Sequence, residues 1–253
     1  MTQMSAARFT PDSRHVSNVH PSPNSNERRG ALAPSMLIMH YTGLLTVEHS
    51  IEVLSDPRGQ VSCHYVVDEI GAITQMVPEA MRAWHAGVSG WHDETDLNSR
   101  SIGIEIQNPG HAHGYPDFPE AQMVRVIALA QDIIARHMIH PERVLAHSDI
   151  APLRKDDPGE KFDWRKLFEA GVGHWVEPVA AAQTGEKPTV AKAQALLKRY
   201  GYVCPQHGIL DTETTKVIVA FQRHFRPENV SGQIDHSTFT TLKKLLDALP
   251  NHI

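Results

Sequence analysis

Three residues of one short stretch, His147, Lys155 and Asp157, carry the side chains of a metal-assisted hydrolytic site. A neutral imidazole and a carboxylate offered by the same loop make half of a zinc site, and an ammonium beside them can serve as an electrophile. Residues 144–146 are apolar and too few for a surface helix. They read as a buried strand with His147 at its carboxyl end, where α/β folds build their sites. Pro158 biases Asp157 toward an extended backbone, and in an extended segment Lys155 and Asp157 point to the same side. On its own the stretch fits a surface histidine followed by a solvated charge cluster equally well.

A third ligand separates the two readings. Residues 36–40 form a second apolar run capped by a histidine, and two parallel neighbouring strands ending this way bring His40 and His147 side by side. With Asp157 they complete a three-ligand site that leaves a fourth position open. Asp156 is chemically equivalent to its neighbour, but the side shared with Lys155 favours Asp157. Residues 101–108 alternate cleanly, with Ile102, Ile104 and Ile106 facing one way and Gly103, Glu105 and Gln107 the other. A carboxylate in mid-strand needs a partner or a task. For Glu105 that is either a salt bridge to Arg100 or Arg82, or work as a general base on a zinc-bound water. Trp84 and His85 belong to a compact aromatic stretch that either lines a cleft for a sugar or peptide or simply packs. His64 opens its strand instead of closing it and reads as structural.

These side chains need a sheet to hold them. Strands are expected over residues 36–40, 62–67, 72–77, 101–108 and 144–146, the second and third forming a hairpin. A helix is expected over 46–54. A longer one over 119–139, apolar along Met123, Val126, Ala130 and Ile133, crosses over before the last strand. The fold class is α/β, a mixed central sheet flanked by helices, with a small C-terminal three-helix domain. Residues 11–30, rich in Pro, Ser and Asn, read as an irregular arm. The first domain covers residues 1–176, a linker 177–188, and the helical domain 189–253, with helices over 190–200, 214–225 and 238–249. Within it, residues 208–214 and 232–238 repeat at an offset of 24 residues. Each copy sets Gly, an inward aliphatic, Asp and Thr ahead of a helix, which capping alone explains.

The 253 residues carry a net charge of −5 without long charge runs, which argues against nucleic-acid binding and a polybasic membrane anchor. No stretch can span a bilayer, and residues 1–30 lack the apolar run of about 7–15 residues of a secretory signal. Cys63 and Cys204 have no spacing that suggests a disulfide framework or a thiolate zinc site. A monomer is expected.

His40-Tyr41-Thr42, Trp84-His85-Ala86-Gly87, the run from Ile102 to Asn108, the run from His147 to Pro152 and the run from Lys155 to Gly159 together resemble the type 2 family of N-acetylmuramoyl-L-alanine amidases, related in fold to the animal peptidoglycan recognition proteins. The likeness covers residues 21–176. From Thr189 onward, Leu210-Asp211, Phe221-Gln222 and Ile234-Asp235 resemble the three-helix peptidoglycan-binding module attached to cell-wall hydrolases. The resemblance implies that His40, His147 and Asp157 bind Zn2+, that Glu105 is the base and that Lys155 steadies the oxyanion; Trp84, His85 and Asn108 are expected to contact substrate. The Lys-x-Asp-Pro-Gly register also points to Asp157. The implied reaction is hydrolysis of the amide between N-acetylmuramic acid and L-alanine in peptidoglycan or muropeptides. The tail would tether the enzyme to the wall and raise the local substrate concentration. A recognition protein without catalysis is the alternative, and it would show a broken ligand set. Two positions depart from the family pattern. Glu160 stands where proline is frequent, and Cys63 stands where recognition proteins and phage enzymes carry a catalytic tyrosine, which leaves the proton work to Glu105. A wall-binding tail points to the cell envelope or periplasm; the missing signal points to the cytoplasm.

Overall fold

A computed structural model of the chain describes residues 9–31, 33–180 and 188–249. Its strands are β1 (Asn18–Val19), β2 (Ser25–Glu27), β3 (Met36–Tyr41), β4 (Tyr65–Val67), β5 (Ile73–Gln75), β6 (Met81–Ala83), β7 (Ser101–Ile106) and β8 (Val144–Ala146). The helices are α1 (Val47–Ser55), α2 (Leu97–Arg100), α3 (Glu120–His137), α4 (His147–Ile150), α5 (Trp164–Glu169), α6 (Val190–Tyr200), α7 (Thr212–Phe225) and α8 (His236–Asp247). Residues 181–187, most of the expected linker, lie outside the described residues.

The main sheet runs β1-β5-β4-β7-β3-β8, with every neighbouring pair parallel except β4 and β5. The arm expected to be irregular contributes the edge strand β1, and its β2 pairs antiparallel with β6. Strands this short carry too few residues to show a period.

Register decides where the polar groups emerge. Parallel pairing sets Met39 opposite Ile104 and Ala146, and His40 opposite Glu105. Leu37, Met39, Tyr65, Val67, Ile102, Ile104 and Ile106 therefore share one face, buried in a core with Met123, Val126, Ala130 and Ile133 of α3. The other face carries Gly103, Glu105 and His40. Near β4 it is covered by Leu54 of α1 with Cys63, Val66 and Met76. His40 and Glu105 thus stand at the carboxyl ends of central strands, where apolar cover gives way to a cleft.

In the C-terminal unit, Thr189, Asp211 and Asp235 cap α6, α7 and α8 by accepting from the backbone N–H of Lys192, Thr214 and Thr238. Because the aspartates are caps, α7 and α8 begin two residues earlier than expected. The repeat rests on more than capping. Gln194 accepts from Gly208 N at 2.7 Å and donates to Thr214 Oγ1 at 2.9 Å. Gln222 does the same with Gly232 N at 2.7 Å and Thr238 Oγ1 at 3.0 Å. Each buried amide closes one loop from the preceding helix.

This unit is docked, not merely tethered. Leu197, Tyr200, Tyr202, Phe221 and Phe225 belong to the same continuous core as the sheet. Trp91 meets Tyr202 edge to face at 4.9 Å between ring centroids. Gly201 admits that ring: with φ at 137°, a Cβ there would lie 2.4 Å from Trp91.

Glu79 accepts from Tyr65 Oη at 2.6 Å, from Arg136 and from His137 Nε2 at 2.6 Å, anchoring the end of α3. Burial opposes ionisation of Glu79, but these donors outweigh it and hold its carboxyl down at about 2. A carboxylate depressed on folding contributes stability above its unfolded pKa and loses it as pH falls through the folded one. Glu79→Gln is expected to cost about 2 kcal/mol at pH 7. It should also flatten the loss of stability between about pH 4.5 and about 2. Urea unfolding at several pH values checks both.

Candidate active site

Three donor atoms converge at the carboxyl ends of β3 and β8. His40 Nδ1 lies 2.9 Å from His147 Nδ1 and 3.1 Å from Asp157 Oδ2, and His147 Nδ1 lies 3.0 Å from the same oxygen. All three side chains are buried, and they form the group among the described residues that can hold a metal ion. His40 comes directly off β3, His147 is the first residue of α4 immediately after β8, and Asp157 returns on the loop that follows.

The far side of each imidazole is fixed as well, which orients the ring and sets its tautomer. His147 Nε2 donates to Ala86 O at 3.1 Å. His40 Nε2 donates to His85 Nδ1 at 2.9 Å. His85 Nε2 in turn donates to Ser101 Oγ at 3.2 Å, and that hydroxyl donates to Leu97 O at 2.5 Å. With the proton of each ring on Nε2, the tautomer that metal ligation requires, both Nδ1 lone pairs face the convergence point. Gly103 makes room for the relay, since a Cβ there would come within 2.5 Å of the His85 ring. Asn98 Oδ1 holds the loop by accepting from His85 N at 3.0 Å and Ala86 N at 2.7 Å.

Electrostatics suits ligation. Burial, helped by His147, pulls the His40 imidazole down to about 4, so it is neutral at physiological pH. Burial works against ionisation of Asp157, but the two imidazoles outweigh it and hold the carboxylate well below its usual range. Glu105 behaves in the opposite way. Burial first, then the Asp157 charge, push its carboxyl well above the usual range, with Lys155 pulling against them. Its Oε2 is enclosed and has no hydrogen-bond partner. The salt bridges open to it in the sequence are taken elsewhere, because Arg100 pairs with Glu94 and Arg82 with Asp96.

Glu105, His147, Lys155, Asp157 and His85 line one cleft of about 360 Å³. His85 lines it as the orienting partner of His40 and is only 5% exposed. Trp84 is not in the cleft wall; its Nε1 donates to Asn26 Oδ1 at 2.6 Å. Asn108 is buried beside the cleft, donating to Pro116 O at 2.9 Å and accepting from Gly110 N at 2.9 Å. These bonds shape the loop that follows β7. His64 is structural: burial and Arg28 pull it down to about 3, and its Nδ1 accepts from Gly103 N at 3.0 Å. Ser101, Asn98 and Arg154, which donates to Ala86 O and to Val88 O at 2.8 Å, were not singled out by sequence. Only the spacing of Ser101, two residues before Gly103 on the same face of β7, hinted at them.

The sequence matches the N-acetylmuramoyl-L-alanine amidase family over residues 30–160. The chain belongs to this family. Residues 186–242 of the amidase match a putative peptidoglycan binding domain. N-acetylmuramoyl-L-alanine amidase AmiD of Escherichia coli is 41% identical over 231 residues, covering 84% of this chain and 82% of that protein. The 1,6-anhydro-N-acetylmuramyl-L-alanine amidase AmpD of Enterobacter cloacae is 33% identical over 62% of this chain and 88% of its own length. Among solved structures, AmiD from E. coli in complex with anhydro-N-acetylmuramic acid-L-Ala-D-gamma-Glu-L-Lys superposes with a TM-score of 0.77 at 39% identity, covering 88% of this chain and 92% of that one. AmpDh3 from Pseudomonas aeruginosa in complex with an anhydromuramic pentapeptide also gives 0.77, at 34% identity and with 87% and 93% covered.

The neighbouring aspartates of the amidase are sharply different. Asp157 is buried among the imidazoles, whereas Asp156 faces outward and pairs with Arg223 at 2.5 Å. Asp157→Ala is expected to lower metal affinity by about 100-fold or more, and Asp156→Ala by far less. Competitive titration of the apo-protein with a chromophoric chelator measures both.

Proposed function

We propose that the amidase is zinc-dependent and cleaves the amide joining the lactyl group of N-acetylmuramic acid to L-alanine in muropeptides or peptidoglycan. The convergence of His40 Nδ1, His147 Nδ1 and Asp157 Oδ2 within 3.1 Å, beside the unpartnered Glu105, carries this reading. Two imidazoles and one carboxylate are the donor set of a catalytic zinc site with one position left for solvent or substrate. Zinc held there would acidify water and polarise the scissile carbonyl.

The remaining work falls to the chain. Glu105, desolvated and raised in basicity, takes a proton from the attacking water and delivers it to the departing amide nitrogen. Lys155, half-buried at the mouth of the same cleft, donates to the carbonyl oxygen as it gains charge. Cys63, at the position where a phenol was expected in related proteins, is buried and its thiol is pushed well up by burial and by Glu105. It is a poor proton carrier, which leaves Glu105 that role. The reading as a recognition protein without catalysis loses support because the donor set is complete. Muropeptides are favoured by the anhydro-muramyl peptides bound in the related structures. Action in the cell envelope is favoured by the match to a peptidoglycan binding domain, and cell fractionation tests it.

Purified protein should hold about one zinc per chain. Glu105→Ala should keep that zinc while release of stem peptide from muropeptides slows by about 100- to 10,000-fold, followed by chromatography. Full turnover by Glu105→Ala would remove Glu105 from the mechanism, and a wild-type protein that neither holds nor takes up zinc would remove the metal.

A further inference from the structure

The loop that supplies two of the three metal donors is gripped along its length by the C-terminal unit. Asp149, two residues after His147, is fully buried. Its Oδ1 accepts from Tyr202 Oη at 2.6 Å, and its Oδ2 accepts from His224 Nδ1 at 2.6 Å and from Ala146 N at 2.8 Å. One carboxylate therefore ties the end of β8 and the start of α4 to two residues of the other unit. The His224 ring also stacks on Trp164 of the amidase domain at 3.7 Å between centroids.

Farther along the loop the grip continues. Lys216 Nζ donates to Leu153 O at 2.8 Å. Arg223 pairs with Asp156 at 2.5 Å and with Glu160 at 3.2 Å, so its two partners flank Asp157. Glu160 is the residue that departs from the family pattern, and here it gives the loop an anchor on α7. Lys216, Arg223 and His224 all belong to α7. One helix thus contacts the loop at Asp149, Leu153, Asp156 and Glu160, while the donor atoms of His147 and Asp157 meet His40.

We propose that α7 and Tyr202 of the C-terminal unit are positioning elements of the metal centre, holding residues 147–160 in the shape that brings His147 and Asp157 onto His40. The role is separate from any contact with the cell wall, and it rests on the zinc reading above. Preorganised ligands bind metal tightly because their supporting groups hold them in place, and loss of such support typically costs 10- to 100-fold in affinity.

The test is zinc affinity of the full chain, measured by chelator competition, for Tyr202→Phe, Arg223→Met and a control, Leu245→Val. Tyr202→Phe deletes one hydroxyl but keeps the ring against Trp91. Leu245 is buried in α8, which supplies none of the loop contacts named above, so its variant loosens the same unit without removing a member of the grip. Melting temperatures identify variants of matched stability. The expected result is zinc affinity lowered about tenfold in Tyr202→Phe and in Arg223→Met, with the control unchanged. Unchanged affinity in both Tyr202→Phe and Arg223→Met, or an equal loss in the control, overturns the positioning role while leaving the zinc reading intact. A wild-type chain that binds no zinc overturns both.

Discussion

Two imidazole nitrogens and a carboxylate oxygen held 2.9–3.1 Å apart in a buried site form the constraint on which the rest of the structure depends. Lone pairs at such distances repel unless a cation or a shared proton lies among them, so each ligand must be held from behind. His40 is held by the β3–β7 register and by the relay through His85, Ser101 and Leu97. His147 is held by Ala86 and by the end of β8. Asp157 is held by a loop with no regular structure, whose shape depends on anchors at either side.

The same site separates two carboxyl groups of one chain. Asp157, between imidazoles, stays ionised, while Glu105, enclosed without a donor to its Oε2, is pushed toward protonation. Divergent environments give similar groups different tasks, one as a charge to bind a cation and one as a carrier of protons. The parallel register that sets His40 opposite Glu105 is what places them on the same face.

Much of this was legible in the sequence because it is local. Apolar runs ending in His40 and His147, and the alternation from Ile102 to Gln107, follow from strand geometry alone. The choice of Asp157 over Asp156 needed only the side it shares with Lys155 and the motif register. What escaped is long-range. His85 and Ser101 are joined by the fold, Trp84 turns to Asn26, and Asn108 turns inward to its own loop. The two strands of the N-terminal arm are too short to show a period. The grip of α7 on the loop, spanning more than 60 residues of chain, has no sequence signature beyond isolated charged residues.

The aromatic contacts of Trp91 with Tyr202, and of Trp164 with His224, carry a consequence for how the protein comes apart. Two family units that share one apolar core cannot melt independently, because unfolding either would expose the rings of the other. The boundary between the units is therefore a boundary of ancestry and not of cooperativity. Heating should show a single calorimetric transition whose enthalpy matches the whole chain, and a cut between Ala180 and Pro188 should leave the two pieces associated.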